Sequence, residues 1–359
     1  MESVIKEFEE LWLMSITLSI KTRLRRSLVK RKWLIQLIHS FYWIFNKLKY
    51  LNAIFNRENI DLFDISNLCA EMPYTGKELI FDNNIYGIGN VLKKFSGFKG
   101  HINAYIEHGV YLGNHFDKNK WYAPKIVTYS NQRKKHLSDQ NVNKDVCVIG
   151  PYIYYAEELF NEKKRLSIKN QLKKTLLVFP VHSATSLETK FDVKDFIIEI
   201  KHLLMKYSFD TILVCLYWKD ANNKELVKLY TNAGSMVCSA GHKWDKDFLN
   251  RLKTIINLSD LTISNDVGTH IGYCTVLNKP HTILETKIEY VPIGSNGDNT
   301  YREELKTERQ IEVNEIKEGF LKTDGALNIE INEVQKRLSD KYWGHDKIKT
   351  NNDIFSILS

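Results

Sequence analysis

Residues 175–284 constrain the fold more than any other part of the chain, because two kinds of pattern alternate there almost without interruption. Short apolar runs, many of them β-branched, occupy 175–179, 211–217, 236–238, 261–263 and 281–284, and segments of helical period occupy 193–207, 223–232, 246–257 and 267–277. Strands and helices in regular succession predict a parallel sheet covered on both faces, a doubly wound α/β domain. Ligands of such sheets bind beyond the carboxyl ends of the strands. Two polar loops are predicted at that edge. The first, Pro180-Val181-His182-Ser183-Ala184-Thr185-Ser186, follows the first strand. Backbone N–H groups and the side chains of His182, Ser183 and Thr185 suit a phosphate, while capping of a following helix by Ser or Thr is the structural alternative. The second loop, Ser264-Asn265-Asp266-Val267-Gly268-Thr269-His270, opens a helix. Its unpaired N–H groups and positive dipole end also suit a phosphate, and Asp266 could instead be an N-cap. No G-x-G-x-x-G follows the first strand, which disfavours a dinucleotide cofactor.

Upstream the alternation is present but irregular. Residues 102–106, 125–129 and 146–149 read as strands, with a helix opening at Ser130 and running through Leu137. The first of these strands ends in Glu107-His108-Gly109. A strand-end imidazole can take a proton from a hydroxyl near neutral pH, a following glycine lets the backbone turn, and Glu107 is placed to tune His108 or to act itself. A hydrogen-bonded structural histidine is the competing assignment. Asp245-Lys246-Asp247 has the D-x-D spacing of some metal-dependent sugar transferases, but it lies at a predicted helix start, where acids favour the dipole in any case. No metal site is expected. The divisions read from these patterns are a basic, aromatic helical region 1–60, a first α/β domain 61–156 for the acceptor, a charged helical linker 157–174, a donor domain 175–300 and a partly helical tail 301–359 that packs back on the domains.

Charge is concentrated at one end. Of the net +8, residues 1–52 contribute ten Lys/Arg against four Glu, and 21–32 hold seven basic residues and no acid. The following run, 33–45, is almost wholly apolar but too short to cross a bilayer, which needs roughly 20 apolar residues. Lys and Arg on headgroups with Trp33, Phe41, Trp43 and Phe45 in the boundary layer predict contact of 21–45 with an anionic membrane surface. Packing of Leu34, Leu37, Ile38, Phe41, Phe45 and Leu48 in the first domain's core is the alternative. Nucleic acid is not an expected partner, since the basic residues form no stripe and no recognition motif accompanies them. Five scattered cysteines, odd in number and without a C-x-x-C pair, point to a reducing compartment and against a disulfide framework or a zinc site. The expected location is cytoplasmic, peripheral on the inner face of the membrane.

Several short motifs carry a family likeness: IEHGVYLGN at 106–114, VIGPYIYYA at 148–156, SNDVGTHIGYCTVLNKPH at 264–281 and KYWGHD at 341–346. Over about residues 75–345 the chain resembles bacterial surface-polysaccharide glycosyltransferases of capsule and O-antigen clusters, of the GT-B type with two Rossmann-like domains, and more broadly the CDP-glycerol glycerophosphotransferases. The resemblance implies a nucleotide-activated sugar as donor, a glycan or lipid-linked glycan as acceptor, no cofactor and no catalytic metal. It implies His108 as base, with 182–186 and 264–270 as donor-phosphate contacts. The basic N-terminal region departs from the compact GT-B pattern. A glycerophosphotransferase and a nucleotide-sugar 2-epimerase of the same architecture remain as alternatives.

Overall fold

The computed structural model describes residues 60–72, 80–116, 123–183, 186–294, 297–322 and 325–359, together with Glu78 and positions 41, 44, 48, 49, 51–53, 55 and 57. The basic run 21–32 and Trp33, Leu34, Leu37, Ile38, Trp43 and Phe45 lie outside the described residues. Phe41 and Leu48 do not lie in a core: their side chains are 56% and 75% exposed.

Two parallel sheets organise the protein. The smaller contains β1 (Tyr105–Ile106), β2 (Lys125–Thr128) and β3 (Asp145–Val148) in that order. The larger contains β4 (Thr175–Phe179), β6 (Thr211–Cys215), β7 (Met236–Cys238), β8 (Leu261–Ser264) and β9 (His281–Ile283), in the order β7-β6-β4-β8-β9. All of its pairings are parallel. Every residue of β4 and β8 is buried; β4 accordingly reads as an apolar run, while β8 alternates and buries the hydroxyls of Thr262 and Ser264 against His281. The chain leaves β4 for β6 and β7, then returns to the other side of β4 to form β8. The order therefore reverses between β4 and β8, the position where open α/β sheets leave a crevice. The pairing of Phe179 with Ser264 brings the two predicted loops to one edge.

The helices sit where the periodicity puts them. In the smaller half these are α1 (Ile88–Ser96) and α2 (Asn131–Asp139), the latter capped by the Ser130 hydroxyl, which accepts from the Arg133 N–H. Then come α3 (Glu162–Leu172), α4 (Val193–Lys206), α5 (Lys224–Asn232), α6 (Phe248–Asn257) and α7 (Thr269–Val276). One element departs from the expectation for 180–186. No helix follows that loop; instead β5 (Leu187–Lys190) pairs antiparallel with β10 (Glu289–Pro292), and the next helix is capped by Asp192.

After α8 (Thr307–Phe320) and α9 (Glu333–Leu338), a π-helical turn at Ser339–Trp343 leads back to the smaller half, where α10 (Asn351–Leu358) packs on α1. Trp343 is fully buried against α7: a Cβ on Gly272 would fall 2.0 Å from its Cγ. One continuous core, including Leu92, Ile106, Leu177, Ile271, Phe320 and Trp343, joins the two sheets. No helix among the described residues is long and apolar enough to cross a membrane.

Candidate active site in the interdomain cleft

A cavity of about 380 Å³ opens between the carboxyl edge of the larger sheet and the loop after β1. Its size is ordinary for a small-molecule site. It brings together His108, His182, Asp266, Gly268, Thr269 and His270 from the residues singled out in the sequence. The other members of that set lie elsewhere. Ser264 is fully buried, donating to the Asp266 carbonyl at 2.8 Å and lying 3.0 Å from His281 Nε2. Asn265 is also buried, and its Oδ1 accepts from the Val181 N–H at 2.6 Å, tying the two loops together. Ser183 Oγ accepts from the Thr189 N–H at 3.1 Å, which anchors the loop to β5 rather than capping a helix. Thr185 lies outside the described residues.

The helix at the centre of the cleft is held without a side-chain cap. Gly268, not Asp266, is the N-cap of α7, and no side chain bonds the first-turn N–H groups. Those groups and the dipole leave a positive end at the cavity wall. Asp266 is engaged differently: Tyr290 donates to its Oδ2 at 2.5 Å, and Lys317 lies 3.6 Å from its Oδ1. Thr269 Oγ1 accepts from the Val110 N–H at 3.0 Å, a bond between the two halves of the molecule. A Cβ on Gly109 would lie 3.4 Å from the same oxygen, an ordinary contact, and its φ is not positive, so neither space nor backbone requires the glycine expected to turn the chain here.

The imidazoles differ in character. His270 stacks on Phe179 at 5.1 Å, and its Nε2 is a buried nitrogen with no hydrogen-bond partner among the described residues. Burial, with the neighbouring His182 adding to it, lowers its pKa to about 3, so it is a neutral group at the cavity wall. His182 stacks on Tyr217 at 4.2 Å. His108 faces the cavity from the first domain, with the Tyr111 hydroxyl 3.4 Å from either ring nitrogen. Glu107, expected to tune His108 or to act itself, is committed elsewhere. Its carboxylate is buried, accepts from Arg133 at 2.6 and 3.0 Å, and accepts from the Thr128 hydroxyl at 2.7 Å.

A second cavity of about 260 Å³ lies on the far side of His108, with Asp82, Tyr105, Tyr111 and His115 in its wall. The D-x-D pair takes no part in either space. Asp245 is buried and bonded to Arg251 at 3.0 Å with Arg57 at 3.9 Å, an ion-pair cluster that supports the turn into α6. Among the described residues no group of three or more His, Cys, Asp or Glu is placed to hold a metal ion.

Several cavity residues escaped sequence reasoning. Tyr217 follows β6 directly, so the strand-end rule that found the other loops could have found it. Tyr86 carries no such signal: it sits at φ +57, stacks on Phe248 at 4.6 Å and reaches Tyr217 across the cleft, hydroxyl to hydroxyl, at 3.4 Å. A non-glycine residue in the left-handed region is held there by its surroundings, and such strain gathers at ligand sites. Arg309, on α8, lines the cavity from the tail of the chain.

No family model matches the sequence, and no curated protein matches it. Among solved structures the chain is similar to the S. aureus MnaA–UDP co-structure, at 13% identity and a TM-score of 0.37 over 82% of this chain and 78% of that one. It is also similar to a UDP-GlcNAc 2-epimerase from Neisseria meningitidis bound to UDP-GlcNAc, at 13% identity and 0.33 over 76% and 77%. A third is sucrose-phosphate synthase from Thermosynechococcus elongatus, at 12% identity and 0.29 over 74% and 65%. At this level of similarity the chemistry has to be read from the cleft itself.

Proposed function

We propose that the protein is a metal-independent glycosyltransferase that takes a sugar from a nucleotide-activated donor, with the donor's diphosphate at the N-terminus of α7 and His108 as base. The observation that carries the reading is the bond from the Val110 N–H to Thr269 Oγ1, which sets an uncapped helix N-terminus facing a histidine loop of the other domain. On the donor side, the first-turn N–H groups, His270 Nε2 and Arg309 offer donors to phosphate oxygens. On the acceptor side, a hydroxyl in the main cavity beside His108 would lie between the imidazole and the donor, within reach of both the base and the anomeric carbon. Transfer then forms a bond from the acceptor oxygen to the anomeric carbon, breaks the bond from that carbon to the phosphate oxygen, and moves the hydroxyl proton to His108. The charge left on the diphosphate is stabilised by donors already in place.

The acceptor is a glycan, and the exposed Phe41, Ile44, Leu48, Leu51 and Phe55 at helical spacing suit one presented at an anionic membrane surface, as in synthesis of a bacterial surface polysaccharide.

Thermal-shift and calorimetric titration with UDP, CDP, GDP, ADP and CMP tests the donor half. One nucleoside diphosphate is expected to stabilise the protein and to bind His108→Ala with nearly wild-type affinity, while turnover in that variant falls by about a hundredfold or more. Turnover within a few-fold of wild type in His108→Ala would overturn the assignment of the base, and conversion of the donor to its 2-epimer without any acceptor would replace transferase by epimerase.

A further inference from the structure

Glu312 is a buried carboxylate on α8, and its polar partners among the described residues lie in the other half of the molecule. Its Oε2 accepts from the Gly113 N–H at 2.7 Å. Its Oε1 accepts from Gln132 Nε2 and from His136 Nε2, each at 2.7 Å. Gly113 belongs to the loop that carries His108, and Gln132 and His136 lie on α2. One turn before Glu312 on the same helix, the Arg309 backbone packs directly on Gly113. A Cβ on Gly113 would fall 3.0 Å from Arg309 Cβ and 3.1 Å from its Cα, and φ is +71, so both the contact and the backbone require glycine here. The Gly113 carbonyl in turn accepts from Arg133 at 3.3 Å, the residue that holds Glu107.

We propose that Glu312 is a positioning residue: by tying the helix of Arg309 to the loop of His108, it sets the guanidinium where it meets a diphosphate bound in the cleft. The proposal rests on the nucleotide reading of that cleft. A carboxylate out of water is costly unless its oxygens are met by donors. Here the donors come from the opposite half, so Glu312 is satisfied only when the halves are together. Burial alone would raise its pKa, but the bonds from His136, Gly113 and Gln132 and the charge of His136 outweigh burial and hold it below the usual carboxylate range. The other charged groups near it are already occupied, since Glu315 is paired with Lys341 and Arg133 with Glu107.

The test is Glu312→Gln, which keeps the shape and removes the charge, measured with the tightest binder among UDP, CDP, GDP and ADP. Affinity is expected to fall about tenfold, and exchange of the Gly113 amide to quicken by a similar factor. In an Arg309→Ala background the same substitution is expected to cost no further affinity, since Glu312 acts through Arg309. An equal loss in that background, or faster Gly113 exchange with unchanged affinity, would overturn the proposal. Failure of the wild-type protein to bind any of the four nucleotides would overturn the cleft reading instead. The two failures are distinguishable, because Gly113 exchange still reports whether the tie exists. Should Glu312→Gln not fold, His136→Ala removes one of the three donors and is expected to give the same pattern at about threefold.

Discussion

Side chain by side chain, burial decides which polar groups in this protein can do chemistry and which only hold it together. His281 is enclosed between Thr262 and Ser264, His242 is buried beside Trp218, and His270 is stacked on Phe179. Burial, as the largest cause in each, lowers the pKa of His242 to about 4 and of His270 to about 3, and takes His281 well below the ordinary value. In the unfolded chain these groups take up protons near pH 6.5; in the folded one they do so only at lower pH. Their contribution is therefore complete above about pH 6.5 and is lost as pH falls from there, down to about 4 for His242 and about 3 for His270. His242 alone accounts for about 2 kcal/mol by pH 5. The melting temperature is expected to drop by several degrees between pH 7 and pH 5 in scanning calorimetry, and a flat profile would contradict the neutral-imidazole picture. The same residues mark where sequence reading stops. Ser264 and Asn265 look like phosphate ligands in the one-dimensional pattern because hydroxyl and amide at a strand end are the right chemistry. Their partners, His281 on β9 and the Val181 N–H in the loop after β4, come from elsewhere in the chain, and no local spacing shows that such groups are already taken.

Among the elements, the ones legible in sequence are those whose burial is nearly complete. The strands β4 and β6 announce themselves through apolar runs, and α4 and α6 through helical period. β5 and β10 do not, since LETK and EYVP are mostly polar and become strands only by pairing with each other across about a hundred residues of chain. Yet this ribbon contributes Leu187, Thr189 and Tyr290 to the cavity. α7 shows how closely its supports are fitted. Gly272 lies on Trp343 with no room for a methyl group, so Gly272→Ala is expected to destabilise the protein by about 1–3 kcal/mol in urea denaturation, with nucleotide affinity falling in parallel as the helix is pushed from its seat. An unchanged midpoint would mean that Trp343 yields easily.

The whole molecule is two α/β halves joined by paired polar contacts rather than by apolar surface alone. Tyr86 meets Tyr217, Tyr129 meets Tyr273 at 2.8 Å, Val110 meets Thr269 and Glu312 meets three donors, all across the same boundary. Outside this body lie the exposed apolar positions 41, 44, 48, 51 and 55, next in sequence to the basic run 21–32. Leu48→Asp with Phe55→Asp is expected to reduce co-sedimentation with vesicles containing phosphatidylglycerol by about tenfold or more while leaving nucleotide binding unchanged. Equal sedimentation of variant and wild type would remove the membrane from the proposal. The contact between Trp343 and α7 has a consequence in time as well as in space. Gly272 leaves the ribosome well before Trp343 does, so a nascent chain already containing every strand of the larger sheet still has α7 unsupported. The cleft is completed only when residues that arrive late in synthesis, Trp343 among them, are in place.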